Sequence, residues 1–353
     1  MKDSWLSEER NAHVLGLLRV SFATLLLLLT LRLLRELFHG PYFGDVFHMS
    51  LLPERFVPTR QGYLVLLGCQ ALGCVLSLVG VLARPALLGA SLCGLYGFFC
   101  DRLQYHNNRY ELLLLALLVS LSPCDRSFLL FGGARPGTAP RWAARLVGAQ
   151  LAVVYLASSL GKLADADWRS GAVLLPRFAL GQPLAERYLP AGLAQVLAAP
   201  GFAHVASVAA ISSELCLALG LWFPATRALC LWLGVMFHGG IELTARVELF
   251  SYTMLSGYLA FVTPELRERS VSWNARSQVG QALGWLCSRL DVLARFRHEQ
   301  VDGQATLVVA RDRAGVAHRG LSAWRELSRA TPLLFPLWLP LCLLTWRERQ
   351  ERN

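Results

Sequence analysis

A lysine, a glutamate and two histidines stand in or beside segments that are otherwise apolar, and their spacing is helical. Tyr155, Ser159 and Lys162 fall at i, i+4 and i+7, on one helix face. An ammonium at membrane depth costs about 2.5–3.5 kcal/mol on insertion scales. One reading is a lysine that snorkels at its helix end and pairs with Asp165 or Asp167. The other is a general base, since a buried lysine can give up its proton near neutrality and arginine cannot. Lysine is scarce here: of 34 Lys and Arg residues only Lys2 and Lys162 are lysines. His204, Ser207 and Glu214 form a second stripe. Glu214 sits near mid-span, as either a functional carboxylate or a hydrogen-bonded one that ties helices together. His238 and Glu242 lie one turn apart, suited to orienting an imidazole or to giving two metal ligands. No convincing further ligand set accompanies them, so no metal is expected. Arg19, also in an apolar run, faces the interior to grip a phosphate or to pair with Glu214 or a backbone carbonyl.

These residues need helices to hold them. The chain has 353 residues, 54% hydrophobic and 16% charged, with mean hydropathy +0.42. Soluble domains run at about 45–50% apolar and about 25% charged. That balance excludes soluble, disordered, collagen-like and disulfide-scaffold classes. The apolar runs are continuous rather than alternating, which excludes a transmembrane barrel. The reading is an all-α polytopic membrane protein, a bundle of about eight transmembrane helices with a small α+β C-terminal tail. The eight segments are 14–34, 62–83, 85–100, 110–121, 146–163, 202–223, 228–240 and 249–262. The expected division is a transmembrane domain over 1–265 and a basic tail over 266–353.

Loops after the odd-numbered segments share one side of the membrane. They hold His39 and His48, then Asp101, His106, Asn107 and Asn108. They also hold Lys162, Asp165, Asp167 and Trp168, and finally His238 and Glu242. The candidate chemistry converges on that face, opposite the termini. The arginine-rich tail and the loop 126–145 place the termini in the cytoplasm, in a multi-pass protein of the cell membrane. No nucleic-acid motif is present, so the formal charge of +10 points to cytosolic loops and lipid head groups. Nine cysteines form no C-x-x-C pair and read as helix-packing residues. The first apolar run is too long for a cleaved signal and serves as its own insertion signal.

In the tail, 273–296 reads as an amphipathic helix on Val279, Leu283, Leu286, Leu290 and Leu293. Residues 304–310 and 316–319 flank a turn at 312–315, a β-hairpin pattern. A helix is expected over 321–329, and the proline-broken segment 331–344 docks rather than spans.

The segment 155–171, YLASSLGKLADADWRSG, resembles the Lys-Leu…Asp-Trp-x-x-Gly signature of vitamin K-dependent gamma-glutamyl carboxylase and its HTTM-domain bacterial relatives. DRLQYHNNRY, 101–110, is similar to the carboxylase's Asn-Asn-His region. Phe237-His238, followed by Phe250-Ser251-Tyr252, matches a third family segment, and Pro53-Glu54 is a weaker match. The resemblance covers roughly 14–265. It implies a lyase-type activity in which a lysine deprotonates vitamin K-type hydroquinone. Oxygen then generates the base that removes a glutamate γ-proton, and CO2 traps the carbanion. By that resemblance Lys162 carries the proton transfer, His106 or Asn108 polarises the quinol or peroxide, and His238 lines the pocket. Asn107, Tyr155, Ser159, Asp167, Trp168, Glu214, Glu242 and Tyr252 complete it. The carboxylase's two adjacent lysines are Gly161-Lys162 here, and its Asn-Asn-His is His106-Asn107-Asn108. The implied partners are membrane lipids and an exported peptide or protein substrate. Two non-carboxylase readings stand beside this: a maturation or immunity factor of the sporulation-delaying protein B type, and a non-enzymatic membrane scaffold. The tail's hairpin and helix resemble the end of a DCC-type thiol-oxidoreductase-like domain without its cysteine pair, so no redox role is expected there.

Overall fold

Helices form wherever the apolar segments lie. The structure, a computed structural model, describes residues 9–39, 49–102, 105–130, 137–178, 190–244, 247–262, 268–304 and 306–350. His48 lies outside them. The chain is mostly helical and its described residues divide into two units: those within 15–135 and 140–261 form the first, and those within 9–14, 136–139 and 262–353 the second.

The first unit holds α1 (His13–His39), α2 (Arg60–Val79), α3 (Ala83–Cys100) and α4 (Asn107–Ser120). It continues with α5 (Trp142–Ala164), α6 (Ala166–Ser170), α7 (Ala191–Ala198), α8 (Pro200–Gly220), α9 (Pro224–Thr244) and α10 (Phe250–Gly257), then a 3-10 turn over Tyr258–Phe261. Five helices, α1, α2, α3, α5 and α8, are long and apolar enough to cross a membrane. Large aliphatic side chains such as Leu31, Val65, Leu72, Val153 and Val205 are exposed on their outer faces. In water that surface would be costly; against lipid tails it is not. The inner faces approach closely through small residues. A Cβ on Gly148 would meet the Phe261 ring at 3.1 Å, and one on Gly73 would lie 2.7 Å from the Ala86 carbonyl.

Arg19 on α1 is buried and faces inward, as expected. Its partners are backbone carbonyls rather than Glu214. The guanidinium donates to the carbonyls of Ser77, Ser127 (3.0 Å) and Phe128 (2.7 Å). It pins the end of α2 and the segment after α4 to α1.

The second unit contains β1 (Glu9–Asn11), most of β2 (Thr138–Pro140), β3 (Arg269–Asn274), α11 (Gln278–Leu290), β4 (Phe296–Val301), β5 (Val308–Arg311), β6 (Ala317–Arg319), α12 (Leu321–Ala330) and α13 (Trp338–Gln350). The four-stranded sheet runs β4-β3-β5-β6; β3 is parallel to β4 and antiparallel to β5, and β5 and β6 form the expected hairpin. Val271, Trp273, Phe296, Val308 and Ala310 from the sheet pack with Cys287, Ala323 and Leu327 from the helices. The helix expected over 321–329 is α12. The helix expected over 273–296 is present but shorter, α11 over Gln278–Leu290, with β3 ending at Asn274 before it and β4 starting at Phe296 after it. Ser277 caps α11, its hydroxyl accepting from the Gly280 N–H, and Val279 and Leu286 are exposed. The buried stripe is Gly280, Gly284 and Cys287: Gly280 admits the Asn274 backbone and Gly284 the Trp273 ring. N-terminal residues belong to this unit: the Asn11 amide donates to the Leu293 carbonyl (2.8 Å), and the Ala12 N–H donates to Gly137 (3.0 Å).

Candidate functional site

The site is built on α5, whose inward face presents Tyr155, Ser158, Ser159 and Lys162. Ser159 is buried and donates to the Ile211 carbonyl of α8 (3.0 Å), which fixes the two helices side by side. This brings Glu214 of α8 against Lys162. The ammonium donates to Glu214 Oε1 and to Ser158 Oγ (2.9 Å), and Ser158 donates to the same carboxylate oxygen (3.1 Å). The Lys162 side chain is 17% exposed and Glu214 only 5%. Glu214 Oε2 is buried and has no hydrogen-bond partner among the described residues. The pair is thus an acid–base couple with one oxygen to spare. The snorkelling partners expected from the sequence, Asp165 and Asp167, do not hold Lys162. Both are exposed, and Asp165 caps α6 by accepting from the Asp167 N–H (2.8 Å).

The Asp-Trp-x-x-Gly pattern has a local explanation. The Trp168 ring lies under the Lys162 ammonium at 4.8 Å, a cation–π contact. Ser207 of α8 donates to the Trp168 carbonyl. Gly171 closes α6 at φ +86°, and a Cβ there would lie 2.6 Å from the Ala203 carbonyl carbon. Only glycine accepts both the left-handed turn and the α8 backbone at that distance.

Two turns along α5 from Lys162 lies a second cluster. Tyr155 Oη is 2.6 Å from His238 Nε2 on α9 and 2.6 Å from Tyr258 Oη. All three side chains are buried, and the His238 ring is boxed by Phe237, Phe250, Tyr155 and Tyr258. His238 Nδ1 has no partner among the described residues.

The remaining predicted residues are spread around these clusters. His106 is exposed and caps α4, its Nδ1 accepting from the Asn108 N–H at 3.3 Å. Asn107 is exposed, while the Asn108 amide nitrogen is buried without a partner among the described residues. Glu242 is half-buried, and its Oε2 also lacks one. Tyr252 is exposed, and His204 is exposed while Ser207 and Glu214 on the same helix are buried. Among the described residues no three His, Cys, Asp or Glu side chains gather as a metal site would require.

Sequence reasoning missed three groups. Ser158 stands one turn before Lys162 but reads as a neutral helix residue. Tyr258 is hidden in an apolar run; its signal is Gly234, one turn before His238, where any side chain would collide with the Tyr258 hydroxyl. Glu248 joins α9 to α10 at φ +37° and accepts from Arg109 (2.9 Å) and Arg32 (2.8 Å). Burial pushes the Glu248 carboxyl up, but hydrogen bonds and charge from Arg109, with Arg32 and His106, outweigh that and hold it below its ordinary value.

The HTTM-domain family model matches residues 8–266, a stretch that includes every residue of both clusters. The chain belongs to the HTTM-domain family. Its apolar helices fit an integral membrane protein. No solved structure matches it. The HTTM match ends just before β3, so most of the sheet unit lies beyond it.

Proposed function

We propose that this HTTM protein is a membrane enzyme that couples oxidation of a lipid quinol to carboxylation, or another modification, of an exported substrate. The observation that carries this reading is Lys162 held against Glu214 and Ser158 at the end of a membrane-spanning helix. A quinol has two ring oxygens to satisfy, and the two clusters leave two buried atoms without partners, Glu214 Oε2 and His238 Nδ1. The residues fit such a group. A vitamin K-type hydroquinone with O2 would supply the oxidising power, and CO2 the added carbon. The chain's own part is proton transfer. The Lys162–Glu214 couple takes the proton of a phenolic O–H, and the bonding electron pair stays on oxygen. Ser158 and the Trp168 ring hold the couple in place. His106, Asn107, Asn108, Asp167, Glu242 and Tyr252 belong to the access route of the site rather than to either cluster.

Eight crossings are supported by parity. Residues 12 and 137 are hydrogen-bonded, as are 11 and 293, so all lie on one side. Between 12 and 137 stand three span-capable helices, α1, α2 and α3, so parity favours a crossing by α4 as well. Between 137 and 293 stand α5 and α8, so α9 and α10 cross together or not at all. With both crossing, the count is eight. The basic tail then favours cytoplasmic termini in a cell-membrane protein, with the Lys162 end of α5 on the other face.

Purified protein in nanodiscs, given hydroquinone, O2, bicarbonate and a glutamate-containing peptide, is expected to form quinone epoxide, and Lys162→Arg to lose about 10³-fold in rate. Equal turnover by both, or none by either, rejects the enzyme reading. A small exported peptide co-purifying with an inactive protein favours the maturation or immunity role.

A further inference from the structure

The three buried groups Tyr258, Tyr155 and His238 can share their protons in only a few ways. Each hydroxyl has one proton and can accept; a neutral imidazole has one N–H and one bare nitrogen. Tyr155 Oη contacts both other groups, and nothing else among the described residues hydrogen-bonds to any of the three side chains.

Suppose the imidazole proton is on Nε2. It then donates to Tyr155, and of the two hydroxyl protons only one finds an acceptor. One buried O–H is stranded, and Nδ1 is left as a bare acceptor. Suppose instead that the proton is on Nδ1. Tyr258 donates to Tyr155, Tyr155 donates to Nε2, and both hydroxyls are satisfied. A single group is left over, the Nδ1–H. Burial penalises each stranded group, so the second arrangement prevails. Its leftover is a donor that needs an acceptor.

We infer that His238 is a fixed hydrogen-bond donor that offers its Nδ1–H to an acceptor oxygen of the substrate, a carbonyl or an oxyanion. Tyr155 and Tyr258 are the positioning residues that hold this tautomer. The assignment deepens the substrate-site reading above and rests on it for the identity of the acceptor. It gives His238 a role beyond lining the pocket: Lys162 and Glu214 handle protons, while His238 steadies oxygen. Gly234 belongs to the device, because its missing side chain makes the space in which the Tyr258 hydroxyl reaches Tyr155.

Nitrogen NMR of protein labelled with 15N-histidine tests the tautomer directly. The chain has eight histidines, and the His238 signals are those that disappear in His238→Asn. If that variant does not fold, Tyr155→Phe marks them instead, since it removes the donor to Nε2 and moves one histidine alone. The expected result is a neutral ring protonated at Nδ1; an Nε2–H ring or an imidazolium at neutral pH overturns the inference. Binding of menadione, a naphthoquinone with two carbonyl oxygens, tests the acceptor. The Asn amide nitrogen stands where Nδ1 stood, whereas the Gln nitrogen reaches towards Nε2. His238→Asn is therefore expected to bind within about 3-fold of the native protein, and His238→Gln to weaken about 10-fold. Equal weakening in both, or no binding by the native protein, overturns the acceptor assignment. An Nδ1–H ring in a protein that forms no epoxide would reject the enzyme reading and leave the tautomer standing. Epoxide formation with an Nε2–H ring would do the reverse.

Discussion

Two cations of the helical unit, Arg19 and Lys162, are served in opposite ways. Around α1, Arg19 is fully buried and held by the backbone carbonyls of three residues. At the α5–α8 seam, Lys162 is partly exposed and held by the side chains of Glu214 and Ser158. Carbonyls cannot take a proton, and a guanidinium does not release one. The Arg19 region is therefore a pin. The Lys162 region pairs a removable proton with a carboxylate that can receive one. Burial of charge alone does not mark a functional site; the chemistry of the partners does.

The sharpest way to break this contrast is Arg19→Met, which strands three carbonyls and is expected to cost roughly 3 kcal/mol in unfolding in micelles. No second side-chain substitution should recover it, because the partners are backbone. Lys162→Met is expected to cost about 2 kcal/mol by leaving Glu214 unpaired, and adding Glu214→Leu should return most of that. Failure of the double variant to recover would mean the seam is a pin too. A third arrangement, Glu248 between Arg32 and Arg109, should cost about 1–2 kcal/mol on Glu248→Gln at neutral pH. Its carboxyl is held below the ordinary value of 4.5, so the contribution is whole above that pH and fades as pH falls through the lower, folded-state value. Melting curves of native and Glu248→Gln protein should thus converge in acid; a constant gap would show that packing, not charge, is at work. Ser158→Ala is the mildest, about 1 kcal/mol or less, with a several-fold drop in turnover.

Much of this was legible from residue order. Each of the eight apolar runs carries a helix, and Tyr155, Ser159, Lys162, Glu214 and His238 were singled out by helical spacing. Spacing tells which face a residue occupies but not what stands across from it. Hence Lys162 was offered Asp165 and Asp167 from its own loop, when the partner comes from another helix 52 residues on. Ser158 and Tyr258 escaped because hydropathy does not register a hydroxyl in an apolar run. The tail helix expected over 273–296 is present as Gln278–Leu290, but its ends and part of its buried face were misjudged. There the buried stripe is Gly280, Gly284 and Cys287, and the large residues that a periodicity search weights most, Val279 and Leu286, face outward.

The sheet unit gathers segments far apart in the sequence, which has a consequence in time rather than in space. Asn11 leaves the ribosome before its partner Leu293, which follows 282 positions later. At about 5–20 residues per second the amino-terminal strand waits on the order of half a minute before that hydrogen bond can form. Throughout that interval the apolar helices that stand between the two residues are being made. The Asn11–Leu293 bond therefore forms only after every helix of the first unit has been made.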